Sequence, residues 1–346
     1  MTTPANPTCF VHIGPHKTGS SSLKHFIRAN EDELETRGLF FPRSRDRQGK
    51  RARNHQILAL CDEIGPDGEL RSGAVFWPEI DRVARGSRTN ILISSEMFSA
   101  SLSHPGRLDR ILTFFEKRGY DVRMLAYVRD QPAWLNSWYV QSQKRLARPE
   151  PFEDFAEEWL REGRVEPARY LAPFLADQRC AVEVISFERA AASGLEDDFI
   201  RRCGIDDCAS LTRATVRNTN AGAKTVFAAR QIMERLGGSP RDDDGYGPIY
   251  RDFKIRTREL GWDRQPHIGV DEAFAAKIRA RLAFSNDAFS RRHFGTSWAE
   301  VCPPRTLKRS VFTPEDATQA EMDEIEDVVS TVVKRFSRRR RKSAKA

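Results

Sequence analysis

Lys17 stands between two glycines, Gly14 and Gly19, and three serines, Ser20, Ser21 and Ser22, follow directly in the stretch HIGPHKTGSSSL. An apolar run, Cys9-Phe10-Val11, leads into it and an amphipathic helical pattern leads out. A strand, a glycine-bearing turn and a helix start aim backbone N–H groups and the positive end of the helix dipole at one point, a ready anion site. The serine hydroxyls add donors at the cap and first turn. A nucleoside-triphosphate loop reads G-x-x-x-x-G-K-[ST], with its lysine directly after the second glycine. Here the glycine spacing is kept, but Ser20 follows Gly19 and the lysine lies inside the loop. A serine-capped turn of no special function explains the serines. It does not explain Lys17.

A second stretch, LAYVRDQPAWLNSWYVQSQK (Leu125–Lys144), places Arg129 at a strand's end and Ser137 eight residues on, in the next helix. Ligands of open α/β sheets bind at the carboxyl ends of the strands. There Arg129 can grip a phosphate with a bidentate fork while Ser137 donates its hydroxyl. The competing reading pairs Arg129 with Asp130 or another acid and turns Ser137 to water. Trp134, Trp138 and Tyr139 read as helix packing, not as a stacking platform for bases. His12, within a strand, reads as packed. No His/Cys/Asp grouping has metal-ligand spacing.

These residues need a frame, and the chain alternates short apolar runs with amphipathic segments. Strands are expected at Cys9–Ile13, Leu39–Phe41, Asn90–Ile93, Val122–Val128 and Ala181–Ile185. Helices are expected at Ser20–Arg37 (closed by Gly38), Asn54–Glu63, Pro78–Arg85, Arg107–Lys117 and Pro132–Arg145, the last with proline in its first turn. Alternation of this kind implies an α/β fold, a central parallel sheet flanked by helices. After about Cys203 the pattern is mainly helical, with a Gly/Asp-rich break at Gly237–Gly247.

Taken together, the two stretches resemble the sulfotransferases that use 3′-phosphoadenosine 5′-phosphosulfate (PAPS), in particular bacterial and glycan-type members. HKTGSSSL is similar to that family's 5′-phosphosulfate loop, and VRDQPAWLNSWYVQSQK to its 3′-phosphate element with the same arginine-to-serine spacing. LISSEMFSA (Leu92–Ala100), GLFFPRS (Gly38–Ser44) and SNDAFSRRHFG (Ser285–Gly295) have the look of bacterial relatives. The motif-bearing resemblance covers about residues 9–190, with a weaker echo to about 295.

The resemblance implies a P-loop NTPase-like sulfotransferase fold over residues 9–300, with core motifs in 9–190 and a helical extension over 203–300. It is flanked by an N-terminal tail, 1–8, and by a C-terminal helix and basic tail, 301–346. It implies transfer of a sulfuryl group from PAPS to a hydroxyl or amine acceptor, carbohydrate foremost, with PAP as spent donor and no metal required. Lys17 would stabilise charge on the leaving oxygen as it forms. His16, Thr18, Gly19, Ser20, Ser21 and Ser22 would line the 5′-phosphate, Arg129 and Ser137 would hold the 3′-phosphate, and Arg217 would close over the donor. Glu96, just after the Asn90–Ile93 strand, would take the acceptor proton. His55 is the alternative base, since a histidine titrates in the right range, and His104 and His16 follow it. Phe187 would either lie near the adenine or pack in the core.

Composition narrows the partners. The 346 residues carry a net charge of +8, and Lys334–Ala346 alone holds eight basic residues and no acidic ones. The body is therefore balanced, which argues against nucleic acid as its ligand, although such a tail can attract nucleic acid, anionic lipid or an acidic polymer. The six cysteines are scattered and no apolar stretch approaches the ~20 residues of a membrane span. The start carries no basic cluster followed by an apolar core, so a cytoplasmic protein is expected. Two other classes remain open. A P-loop kinase would want a lysine after the second glycine and a strand-end aspartate for magnesium. A noncatalytic anion-binding or nucleic-acid-binding protein would use the loop and the basic tail alone.

Overall fold

A computed structural model describes residues 6–43, 61–213 and 221–343. The helix expected at Asn54–Glu63 lies mostly outside the described residues, as do His55 and Arg217. The chain divides into two compact units, one of Met1–Arg129, Glu166–Asn218 and Ala283–Pro303, the other of Asp130–Val165, Thr219–Leu282 and Pro304–Ala346.

The first unit holds the sheet. Five strands, β1 (Thr8–Gly14), β2 (Leu39–Phe40), β3 (Asn90–Ser94), β4 (Asp121–Val128) and β5 (Cys180–Ser186), lie in the order β2-β3-β1-β4-β5. Every pairing is parallel, so the expected α/β class with a helix-flanked parallel sheet holds. β1 is central, with Cys9 beside Ile91 on one side and Val122 on the other. Its side chains alternate between two buried layers. Cys9, Val11 and Ile13 join Ile91, Ile93, Met124 and Val128, while Phe10 joins Leu92, Leu125 and Tyr127 on the opposite face. Burial on both faces is why β1 and β3 read as unbroken apolar runs instead of alternating ones.

The helices match the expected ones closely, with one correction. Ser20–Arg37 is not one helix but two, Ser20–Ala29 and Glu31–Thr36. Asn30 separates them. Its amide donates to the carbonyls of Phe26 and Thr212 and its side-chain oxygen accepts from the Thr212 N–H at 2.7 Å. A buried asparagine that ties down a distant loop has left the helix ladder to do so.

The second unit contains no strand of the sheet among the described residues. Ala223–Leu236, Tyr246–Glu259 and Gln319–Ser343 pack around Ile232, Met233, Phe253, Val328, Val329 and Phe336. The basic C-terminal run is helical as far as Ser343 and is partly neutralised. Arg335 pairs with Asp252 and Arg340 with Asp243, the latter within the Gly/Asp-rich break. Gly237, left-handed at φ 73°, ends Ala223–Leu236 there and lets Gly238 N–H reach the Met233 carbonyl. No helix of the described residues is long and apolar enough to cross a membrane.

Candidate active site

β1 ends at Gly14, and residues 15–19 turn across the carboxyl end of the sheet into Ser20–Ala29. Gly14, Lys17 and Gly19 all adopt left-handed backbone, at φ 88°, 70° and 80°. Glycine does so freely, whereas Lys17 is held there at a cost of about 1 kcal/mol. Such an outlier in a loop marks a candidate functional residue. Both glycines are also close approaches. A Cβ on Gly14 would stand 3.1 Å from the Glu96 Cα, and one on Gly19 2.2 Å from the Leu195 Cδ2.

The hydroxyls divide by role. Thr18 Oγ1 donates to the Pro15 carbonyl at 2.6 Å and braces the loop from within. Ser22 Oγ donates to Glu196. Ser20 Oγ is buried and has no hydrogen-bond partner among the described residues. The first-turn N–H groups of Ser20, Ser21 and Ser22 have no acceptor within their own helix. A buried hydroxyl without a partner beside donors of that kind fits an oxyanion better than it fits a closed turn.

Arg129, the first residue after β4, meets this loop. Its Nη1 donates to the Lys17 carbonyl at 2.6 Å, its guanidinium carbon lies 4.9 Å from the Phe187 ring centre, and its Nε is 3.8 Å from Glu188. The Asp130 carboxylate takes a two-pronged contact from Arg279 at 3.1 and 3.0 Å. Phe187 is half-buried beneath the guanidinium. Ser137 belongs to the second unit, in the helix Gln131–Lys144, where its hydroxyl donates to the Ala133 carbonyl at 2.9 Å.

Glu96 is held against the same loop. Lys24 Nζ donates to its carboxylate at 2.7 Å and His16 Nδ1 lies 3.8 Å away. Burial pushes the Glu96 pKa up, but the charge and hydrogen bond of Lys24, helped by His16, outweigh it and leave the group below the usual carboxylate range. Glu96 is therefore an anion at neutral pH. His12 sits beneath the loop with Nδ1 2.8 Å from Ser94 Oγ, and burial lowers its pKa to about 4, so it is neutral and packed. His104 is exposed ahead of the helix Pro105–Glu116.

The first unit thus brings His16, Lys17, the three serines, Glu96, Arg129 and Phe187 to the carboxyl ends of β1, β3, β4 and β5. Lys24, Glu188 and Glu196 are additions that reading the sequence missed. Lys24 had a signal, since it lies four residues after Ser20 and so on the same helix face as the cap. The two glutamates had none, being brought in by folding alone. A cavity of about 510 Å³ opens at the amino end of the sheet, at Thr8, Asp121 and Cys180, remote from these groups. Among the described residues, no cluster of three or more His, Cys, Asp or Glu side chains is placed to hold a metal ion.

No family model matches the chain, and no curated protein matches it. One solved structure that is similar is a sulfotransferase from Alicyclobacillus acidocaldarius, at 16% identity, over 79% of this chain and 99% of that one. The TM-score is 0.38, too low to bear on fold or activity.

Proposed function

We propose that this chain is a PAPS-dependent sulfotransferase of the P-loop type, with its catalytic domain in residues 9–300. The observation that carries the reading is the hydrogen bond from Arg129 to the Lys17 carbonyl, which joins the two motifs beside a helix start whose buried Ser20 hydroxyl has no partner among the described residues. In this reading the N–H groups and hydroxyls of Ser20 and Ser21 take the 5′-phosphate. Arg129 takes the 3′-phosphate, with Phe187 beneath it. Ser137 and Arg217 enter through their sequence positions alone.

The acceptor oxygen attacks sulfur in line as the bond from sulfur to the bridging phosphate oxygen breaks. The leaving oxygen keeps the electron pair, and the Lys17 ammonium stabilises it as its charge develops. Glu96, ionised at neutral pH, accepts the proton of the acceptor hydroxyl. Lys24 keeps that carboxylate ionised and oriented, which lowers its basicity, so proton transfer to it is expected late, from an oxygen already acidified by bond formation. A hydroxyl acceptor, carbohydrate foremost, suits a carboxylate base.

Calorimetric titration with 3′-phosphoadenosine 5′-phosphate, ADP and ATP tests the reading. The bisphosphate should bind preferentially, Arg129→Ala should weaken it at least tenfold, and Lys17→Ala should lower turnover more than binding. Equal affinity for ADP, or indifference to Arg129, would remove the sulfotransferase assignment.

A further inference from the structure

The second unit has a cavity of its own, about 210 Å³, room for roughly seven waters at ~30 Å³ each. Two independent pieces of backbone build its polar wall. Ile268 and Ser310 form an antiparallel bridge, with N–H to carbonyl distances of 2.8 and 2.9 Å in the two directions. Residues flanking such a pair project to the same side. His267 and Gly269 on one segment, and Arg309 and Val311 on the other, therefore all face the cavity. A third wall is one stripe of the helix Ala223–Leu236, namely Ala223, Val226, Phe227 and Arg230, at helical spacing. Tyr139, Phe152 and Phe312 complete it with rings.

His267 is the group in this wall that the fold does not explain. It is 8% exposed, and neither ring nitrogen has a hydrogen-bond partner among the described residues. Its orientation is nevertheless fixed. Asn136 donates to the His267 carbonyl at 3.0 Å and accepts from the Gly269 N–H at 2.9 Å, and the Tyr139 ring lies 5.7 Å away, centre to centre. A Cβ on Gly269 would meet the Phe152 ring at 3.0 Å and the His267 Nε2 at 3.1 Å, so the glycine keeps the imidazole uncrowded. Burial, with the charges of Arg230 and Arg309, lowers the His267 pKa to about 4. The ring is thus a neutral donor and acceptor held between two cations. Burying it with neither nitrogen satisfied is costly unless a ligand or water supplies the missing partner.

The charges around it are unequal. Arg309 lies 3.7 Å from Glu153, which also lines the cavity. Arg230 has no carboxylate within salt-bridge distance among the described residues, so the wall carries one net positive charge at neutral pH. We propose that this cavity binds a small planar organic oxyanion, its charged group on Arg230 and Arg309, its ring against Phe152, Phe227 and Phe312, and a polar substituent on His267. Rings with one arginine on each of two walls form the usual pattern of a small-ligand pocket, mostly apolar with a few convergent polar groups.

The test is calorimetric titration of the full chain with benzoate, 4-hydroxybenzoate and phenyl sulfate, beside inorganic sulfate and benzylamine. The aromatic anions should bind with one-to-one stoichiometry, and inorganic sulfate and benzylamine more weakly. Comparing the carboxylates with the sulfate ester identifies the preferred head group. Arg230→Ala should weaken binding about tenfold, the loss of one charge-assisted hydrogen bond. His267→Phe should abolish any advantage of 4-hydroxybenzoate over benzoate, and Arg309→Ala gives a second probe if that variant does not fold. Lys17→Ala should leave these affinities unchanged, which separates this cavity from the loop of the first unit whatever that loop binds. Absence of saturable binding, or binding that ignores both Arg230→Ala and Arg309→Ala, would overturn the proposal and leave a cavity that holds only water.

Discussion

Replacing Lys24 by methionine removes the main counter-charge of Glu96 while keeping the stem that packs beside it. The ammonium and carboxylate are 2.7 Å apart, and their side chains are 12% and 13% exposed. At an effective dielectric of about 20 their attraction is about 6 kcal/mol, of which several kcal/mol are cancelled by desolvation of the two ions. Lys24→Met leaves the carboxylate without its nearest counter-charge, with the His16 ring 3.8 Å away. It should cost about 2–3 kcal/mol, and Glu96→Gln a similar amount, because either leaves one charge without its partner. The double variant should recover part of the loss, with a coupling of about 2 kcal/mol. Urea unfolding of the four proteins near neutral pH measures this directly. The pH dependence supplies a second reading. A carboxylate whose folded pKa is lowered contributes stability above its unfolded pKa and loses it as pH falls through the folded value. In Lys24→Met, burial is left as the largest influence and it acts upward, so the share of the acid loss due to Glu96 should shrink and, once its folded pKa exceeds the unfolded one, turn into a gain of stability on acidification. Single-variant costs that add to within about 0.5 kcal/mol, or an acid limb that does not move, would refute the coupling.

Ser20→Ala should change the stability of the protein alone by less than about 0.5 kcal/mol, since its buried hydroxyl has no partner among the described residues, yet it should weaken 3′-phosphoadenosine 5′-phosphate binding severalfold in calorimetry. Gly19→Ala forces a left-handed alanine against Leu195 and Phe187 and should destabilise by about 2–3 kcal/mol in the same urea assay, with loss of binding. His12 and His267, both lowered from 6.5 to about 4, bind protons more readily unfolded, so stability should decline as pH drops below about 6.5 and go on declining to about 4; His12→Phe should flatten that part of the profile.

The strands were legible because a central parallel sheet is apolar on both faces and leaves short runs that helices do not imitate. The loop was legible through local chemistry, a lysine flanked by glycines and followed by serines, and Arg129 through its place at a strand end. What stayed hidden depended on distance. Nothing near Asn30 announces that Thr212 will claim its side chain and divide a helix. Nothing near Ser22 or Arg129 announces Glu196 or Glu188. Nor is the bond from Thr18 to the Pro15 carbonyl announced, formed because a hydroxyl three residues after a carbonyl can close a turn on itself. The chain after about Cys203 reads as mainly helical, since the bridge that brings His267 and Arg309 to one side joins segments with no strand pattern of their own.

The position of β1 in the sheet bears on how the chain is made. It leaves the ribosome before both of its neighbours, and its partners Ile91 and Val122 follow only after long stretches of intervening chain. Until β3 and then β4 arrive, both hydrogen-bonding edges of an apolar strand stand open, and Lys17 and Arg129 cannot meet. Nascent chains that stop short of Val128 should therefore be the species that chaperones hold and that aggregate when synthesis outruns them.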